Sequence, residues 1–301
     1  MEQGRHRYSI KRLLVATDFS EAAGLAISRA AVLAAEQRAD LELLHVMSGR
    51  SLQELRESFG TSSVAADLPH NAENVLRDLA VAVAGQAKIK ATSRVAVGNV
   101  LDGLVSSSEQ ADVLILGAQG WNPLRDRILG TTAARLLGKC ACPALVAKCQ
   151  PQGAYKRVLV PVDFSPHAAA SLSMALTVAP GADIKIVHAF HVPFERMLMG
   201  AGIAAEEIQR YRSHARHQAE VNTDALIKGV GGDPHRFVRA IEQGRASQLI
   251  IREEAGFQAD LIVIGKHGRS VGEEMLLGSV TRHVLSFSKC DVLVIPSPGI
   301  R

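Results

Sequence analysis

Leu261-Ile262-Val263-Ile264-Gly265-Lys266-His267-Gly268, with Gly278-Ser279 after nine intervening residues, joins a wholly apolar run to two close glycines and a glycine-hydroxyl pair. A short apolar run ending in glycine suits a strand of a parallel sheet covered on both faces. The same pattern stands earlier, where Val113-Leu114-Ile115-Leu116 leads into Gly117-Ala118-Gln119-Gly120 and Gly130-Thr131 closes it. Both copies fit G-x-x-G, nine residues, then G-[ST]. Glycine lets backbone N–H groups turn towards an anion with no Cβ in the way. A glycine-hydroxyl pair opening a helix adds unpaired N–H donors and the positive end of the helix dipole. A single copy is weak evidence, because such a pair also serves simply as a cap. Two copies in register point to a phosphate cradle in each half.

The rest of the chain repeats around these loops. Leu13 to Thr17 reads as a strand ending in Asp18-Phe19-Ser20, with Ser20 the N-cap of a helix to Glu36. Strands follow at Leu41–Val46, Lys88–Val97, Val113–Leu116 and Ala144–Ala147, with helices at 71–87, 100–110 and 131–139. Ser48 to Pro69 reads as a long polar connection holding about one helical turn. Gln150-Pro151-Gln152-Gly153 breaks the composition, and then the pattern restarts. Asp163-Phe164-Ser165 repeats Asp18-Phe19-Ser20 at an offset of 145, and Gly265 repeats Gly117 at 148. Strands are expected at Val158–Val162, Ile184–Ala189, Phe237–Ile241, Leu261–Ile264 and 290–294, with a long helix from Ile203 to Lys228. The chain is thus an internal duplication, and the expected domains are residues 1–150 and 154–301. Alternating strands and helices predict an α/β fold, two tandem doubly wound domains with helices on both faces of each parallel sheet. Ligands in such sheets sit beyond the carboxyl ends of strands where strand order reverses. Asp18 with Gly117, and Asp163 with Gly265, occupy such ends.

Composition narrows the function classes. With 47% apolar and 21% charged residues over 301 positions, two globular domains of about 150 residues are expected. The net charge of +4 divides evenly as +2 in each half, and aromatic content is 4%. Neither a basic patch nor a set of stacking rings favours nucleic acid as a partner. No apolar run approaches the ~20 residues of a membrane span, and the N-terminus has no signal-like apolar region, so the expected location is the cytoplasm. Cys140, Cys142, Cys149 and Cys290 match no zinc framework and read as structural thiols.

An aspartate repels phosphate but accepts from an adenine amino group or a ribose hydroxyl, so each half has the makings of a nucleotide site. Thr131 and Ser279 add a hydroxyl for phosphate or a phosphate-bound metal ion. No nucleophile–base pair accompanies either loop. His214 and His217 read as a solvated helix face, and His188 and His191 as packing or surface groups. Met197 and Met199 read as ordinary core or loop packing.

Taken together, Val-Ala-Thr-Asp-Phe-Ser and Val-Pro-Val-Asp-Phe-Ser, the two glycine motifs, and Cys-Pro-Ala-Leu-Val with Cys-Asp-Val-Leu-Val resemble a tandem universal stress protein over nearly the whole chain. The resemblance implies an open five-stranded parallel sheet of order 3-2-1-4-5 in each domain, binding ATP or AMP with or without Mg. It also implies pairing of two domains through their last strands, which one chain can satisfy internally; a homodimer stays open. By position it assigns Asp18 and Asp163 to adenosine, and Val46 and Ala189 to the face of the base. It assigns Gly117, Gly120, Gly130, Thr131 and Thr132 to one cradle, and Gly265, Gly268, Gly278, Ser279 and Val280 to the other. Ala189, smaller than Val46, suggests a looser second base pocket. Arg125 and Arg127 in the first loop, and Lys266, His267, Arg269, Glu273 and Glu274 in the second, leave the ranking of the two sites open.

The expected function is a stress-response regulatory protein that holds an adenine nucleotide with little or no turnover and acts on an unidentified protein partner. A weak ATPase, or a scaffold with relic sites, is the alternative. A nucleotidyl transferase would carry a histidine-rich or Ser-Gly-Gly phosphate motif where Asp-Phe-Ser stands.

Overall fold

The computed structural model describes residues 8–59, 63–119, 129–231, 236–268 and 277–296. The first half runs β1 (Arg12–Ala16), α1 (Glu21–Gln37), β2 (Asp40–Ser48), α2 (Gly49–Phe59), α3 (Ser63–Ala87), β3 (Ala91–Gly98), α4 (Val100–Ser108), β4 (Val113–Gly117), α5 (Thr131–Lys139) and β5 (Ala144–Ala147). The second runs β6 (Arg157–Pro161), α6 (Pro166–Val178), β7 (Asp183–Phe190), α7 (Glu195–Gly200), α8 (Ala205–Gly229), β8 (Phe237–Gln243), α9 (Ala246–Phe257), β9 (Leu261–Gly265), α10 (Ser279–Phe287) and β10 (Asp291–Ile295). Among the described residues, no helix is long and apolar enough to cross a membrane.

All ten strands join one sheet in the order β3-β2-β1-β4-β5-β10-β9-β6-β7-β8. Neighbours within each half are parallel, which gives the doubly wound order 3-2-1-4-5 twice. β5 and β10 pair antiparallel, with Leu145 opposite Leu293, so the sheet as a whole is mixed. Because successive strand residues face opposite sides, β1 sends Leu13 and Val15 to one face and Leu14 to the other. On the first face they pack with Ala26, Ala30 and Leu33 of α1 and Leu76 of α3, and on the second Leu14 packs with Leu104 of α4 and Leu136 of α5. Each face's cluster runs on into the second half, through Val158 and Val160 on one side and Leu159 and Ile262 on the other. The two halves therefore share a continuous core.

Three segments depart from the expectations. Residues 49–59 and 63–69 are helical rather than connecting loop. The Ser48 hydroxyl accepts the Ser51 N–H, and Arg50–Glu54 and Gln53–Glu57 are bonded one turn apart, both at 2.9 Å, which supports a polar helix. Pro69 lies inside α3 and removes one helical bond, but burial of Leu76, Ala80 and Val83 downstream anchors the helix. Met197 and Met199 sit on α7 and are exposed, not packed into the core.

Candidate functional site

β1 lies between β2 and β4, the point at which chain order reverses, and a cavity of about 400 Å3 opens beyond their carboxyl ends. Asp18, Val46, Gly117, Gly130, Thr131 and Thr132 all line it. Gly120 and the two arginines of that loop lie outside the described residues. The corresponding cavity of the second half, about 170 Å3, is lined by Asp163, Ala189, Gly265, Gly268, Gly278, Ser279 and Val280. Arg269, Glu273 and Glu274 lie outside the described residues. The second cavity is the smaller one although Ala189 replaces Val46, and His167, His188 and His267 line its wall. Residues assembled from four separate stretches of each half thus meet at one place.

The glycines act by proximity. A Cβ on Gly268 would stand 3.1 Å from Asp163 Oδ2, so the strand-end carboxylate faces the glycine loop closely. A Cβ on Gly278 would meet the Lys266 carbonyl oxygen at 3.3 Å and the Gly268 nitrogen at 3.8 Å. α5 and α10 begin after Gly130 and Gly278, and neither cap carries a side-chain hydrogen bond. The first turns of α5 and α10 therefore present N–H groups and positive dipole ends at the cavities without a cap from the side chain of their N-cap residue.

The Asp-Phe-Ser triplets share one strained turn. Phe19 and Phe164 have φ of 65° and 58°, a left-handed conformation uncommon for bulky residues. The Thr17 hydroxyl accepts the Phe19 N–H at 3.0 Å, and Asp18 Oδ1 accepts the Ser20 N–H at 3.1 Å. Each phenyl ring packs on a histidine of the adjacent strand, Phe19 on His45 at 4.6 Å and Phe164 on His188 at 4.3 Å between centroids. His45 donates Nδ1–H to the Thr17 carbonyl and His188 to the Val162 carbonyl, both at 2.8 Å. A carbonyl only accepts, so this bond fixes the tautomer and leaves Nε2 of the neutral ring as an acceptor. Both histidines line their cavities. The sequence alone assigns His188 to packing or surface and gives His45 no role; the signal that links them is their shared offset of 143, the offset that also relates Val46 and Ala189.

Lys266 does not reach for the cavity. It is buried and donates Nζ–H to the Gly138 carbonyl at the end of α5 in the other half. Burial pushes its pKa down, with the Cys140 thiolate pulling the other way. Cys140 and Cys142 lie buried with their sulfurs 3.3 Å apart. The hydrogen bond from Cys142 brings Cys140 down to about 6, against the opposing effect of burial, and pushes Cys142 up. Among the described residues, no three His, Cys, Asp or Glu side chains gather as a metal site.

The pattern defining the universal stress protein family matches residues 9–148 and, a second time, 154–296. A universal stress protein of Mycobacterium tuberculosis is 26% identical over 224 residues, covering 71% of each chain. Universal stress protein A homolog 2 of Coxiella burnetii is 30% identical over 151 residues, covering 48% of this chain and 97% of its own length. Among solved structures, a universal stress protein from Archaeoglobus fulgidus superposes with a TM-score of 0.69 at 20% identity, covering 95% of this chain and 98% of its own. At that identity the likeness speaks for the fold.

Proposed function

The chain belongs to the universal stress protein family, and we propose that it is a stress-response regulatory protein that binds an adenine nucleotide, ATP or AMP, with little or no turnover. One observation carries this reading. In each half an uncapped helix N-terminus, a glycine loop and a strand-end aspartate converge on one cavity. Uncapped N–H groups at a helix start suit phosphate, and a carboxylate suits the donors of adenosine. In this reading Asp18 and Asp163 accept from adenosine, and Val46 and Ala189 cover the base. Gly117, Gly130, Thr131 and Thr132 hold phosphate in domain 1–150. Gly265, Gly268, Gly278, Ser279 and Val280 do so in domain 154–301, with Gly120 completing the first set by its place in the motif. The Thr131 and Ser279 hydroxyls are the groups placed to meet a phosphate-bound Mg.

Calorimetric titration of ligand-freed protein with ATP, AMP and adenosine tests the reading. Saturable binding is expected, with the phosphorylated ligands tighter than adenosine. Equal affinity for all three would remove the cradle from the account.

A further inference from the structure

The two cavities are built on the same framework but are not chemically alike. In the first, the Ser20 hydroxyl accepts the Ala23 N–H at 3.2 Å and donates to Asp18 Oδ1 at 2.6 Å, so it caps α1 and is fully used. Ser165 occupies the same place in the second half. There Asp163 Oδ1 accepts the Ser165 backbone N–H at 3.0 Å, while the buried Ser165 hydroxyl makes no hydrogen bond and α6 is left without a side-chain cap. Two residues on, His167 stands where the first half has Ala22, and Ser171 stands where it has Ala26. His167 Nδ1 and Ser171 Oγ are likewise buried without a hydrogen-bond partner, Ser171 being 1% exposed and Ser165 9%. All three residues line the second cavity. They adjoin the cradle, since a Cβ on Gly265 would lie 3.7 Å from His167 Cβ and 3.9 Å from Ser171 Oγ.

A buried polar atom without a partner is costly, so three that line one cavity call for a ligand group that meets them together. Two hydroxyls and an imidazole nitrogen can all donate, and the uncapped start of α6 adds positive dipole to that of α10. That set suits an oxyanion. Asp163, His188 and His267 line the same cavity; the Asp163 carboxylate, engaged by Ser165 N–H, lies on the Gly268 side.

We propose that Ser165, His167 and Ser171 form an oxyanion subsite in the second cavity, absent from the first, and that a phosphoryl group occupies it. The proposal deepens the nucleotide reading of that cavity, and the group comes either from the bound nucleotide or from free phosphate. The first cavity, with Ala22 and Ala26 in two of these places and the Ser20 hydroxyl already bonded in the third, then selects more weakly for phosphorylation state than the second.

The test uses the full chain and amide resonances of Gly265 and Gly268 for the second cavity and Gly117 for the first. Inorganic phosphate, adenosine and AMP are titrated separately into wild-type protein and into the His167→Ala/Ser171→Ala variant. Because alanine occupies both places in the first half, the variant should fold; Ser171→Ala alone, the loss of one oxygen, replaces it otherwise. At Gly265 and Gly268 the variant is expected to bind phosphate or AMP at least tenfold more weakly, with adenosine changed less than threefold. Phosphate binding that adenosine neither enhances nor needs would keep the subsite and reject the nucleotide reading of this cavity. AMP binding lost in the variant, with no response to free phosphate, would make the nucleotide the source. Equal phosphoryl-ligand affinity in wild type and variant, or no response of Gly265 and Gly268 to either phosphoryl probe, would overturn the subsite.

Discussion

At Gly117 a Cβ would lie 2.6 Å from the carbonyl carbon and oxygen of Ala22, so strand β4 and helix α1 touch backbone to backbone. At Gly265 the nearest atom would be the His267 carbonyl oxygen at 3.3 Å, which a small loop adjustment can relieve. Gly117→Ala is therefore expected to cost about 1–3 kcal/mol, in the range of core overpacking, and Gly265→Ala clearly less. Urea midpoints of the two variants compare them, and equal losses would contradict this packing role. The repeat made both glycines legible in the sequence, but not the reason for them, which is a distance between elements. His45 and His188 were hidden for a similar reason. Within one half a lone imidazole on a strand carries no periodic signal, and its partner carbonyl lies just past the end of the neighbouring strand. His167 and Ser171 were hidden because the rotational phase of α6 against Gly265 decides which of its side chains reach the cavity.

Long elements with a clear period were readable, above all the apolar strands and the capped start of α1, where Ser20 accepts the Ala23 N–H as its position suggests. The polar stretch ahead of α3 was not, because polar residues dominate it and its helix is held by local i,i+4 bonds together with the buried Leu52. Contacts between helix ends and the opposite half were also out of reach. Lys148, just after β5, donates Nζ–H to the Leu285 carbonyl and to the Ser288 carbonyl and hydroxyl, at 2.7, 2.9 and 2.8 Å. Lys266 does the reciprocal service for α5 through Gly138. Each half thus supplies a cation to the C-terminal end of the other half's last helix, the sign the dipole favours. Lys148→Met should lower stability by about 1.5–3 kcal/mol, the value of hydrogen bonds from a charged donor. Chemical denaturation reads the change, and a shift below about 0.5 kcal/mol would reduce the contact to a surface pair.

Across the whole molecule the halves are locked by one buried aspartate. Asp291, 0% exposed, accepts from Arg29 Nε at 2.9 Å, Tyr155 OH at 2.8 Å and the Lys148 and Cys149 N–H groups at 2.8 and 3.2 Å. The Arg29 guanidinium also stacks on the Tyr155 ring at 4.1 Å. Arg29→Met leaves that carboxylate buried without its cation and should cost about 3–5 kcal/mol, read as a fall in denaturant midpoint. Burial raises the Tyr155 phenol and the Cys290 thiol well above their ordinary values of 10.0 and 9.0. A raised folded pKa means the folded state holds the proton that the unfolded state has lost, so stability falls as pH rises above about 9. Lys148 and Lys266, lowered by burial, act in the opposite sense up to 10.5, but their shifts are the smaller. Melting temperature should drop from pH 9 upward, and Tyr155→Phe should flatten the decline above pH 10; a flat wild-type profile would contradict both. Whether each cavity is a nucleotide cradle is decided by Gly130→Leu and Gly278→Leu, which place a side chain at the start of α5 or α10. With folding checked by circular dichroism, titration with ATP should show each variant losing affinity at its own cavity and keeping it at the other. Unchanged ATP binding in both folded variants, or no saturable binding by the wild-type chain, would contradict the cradle.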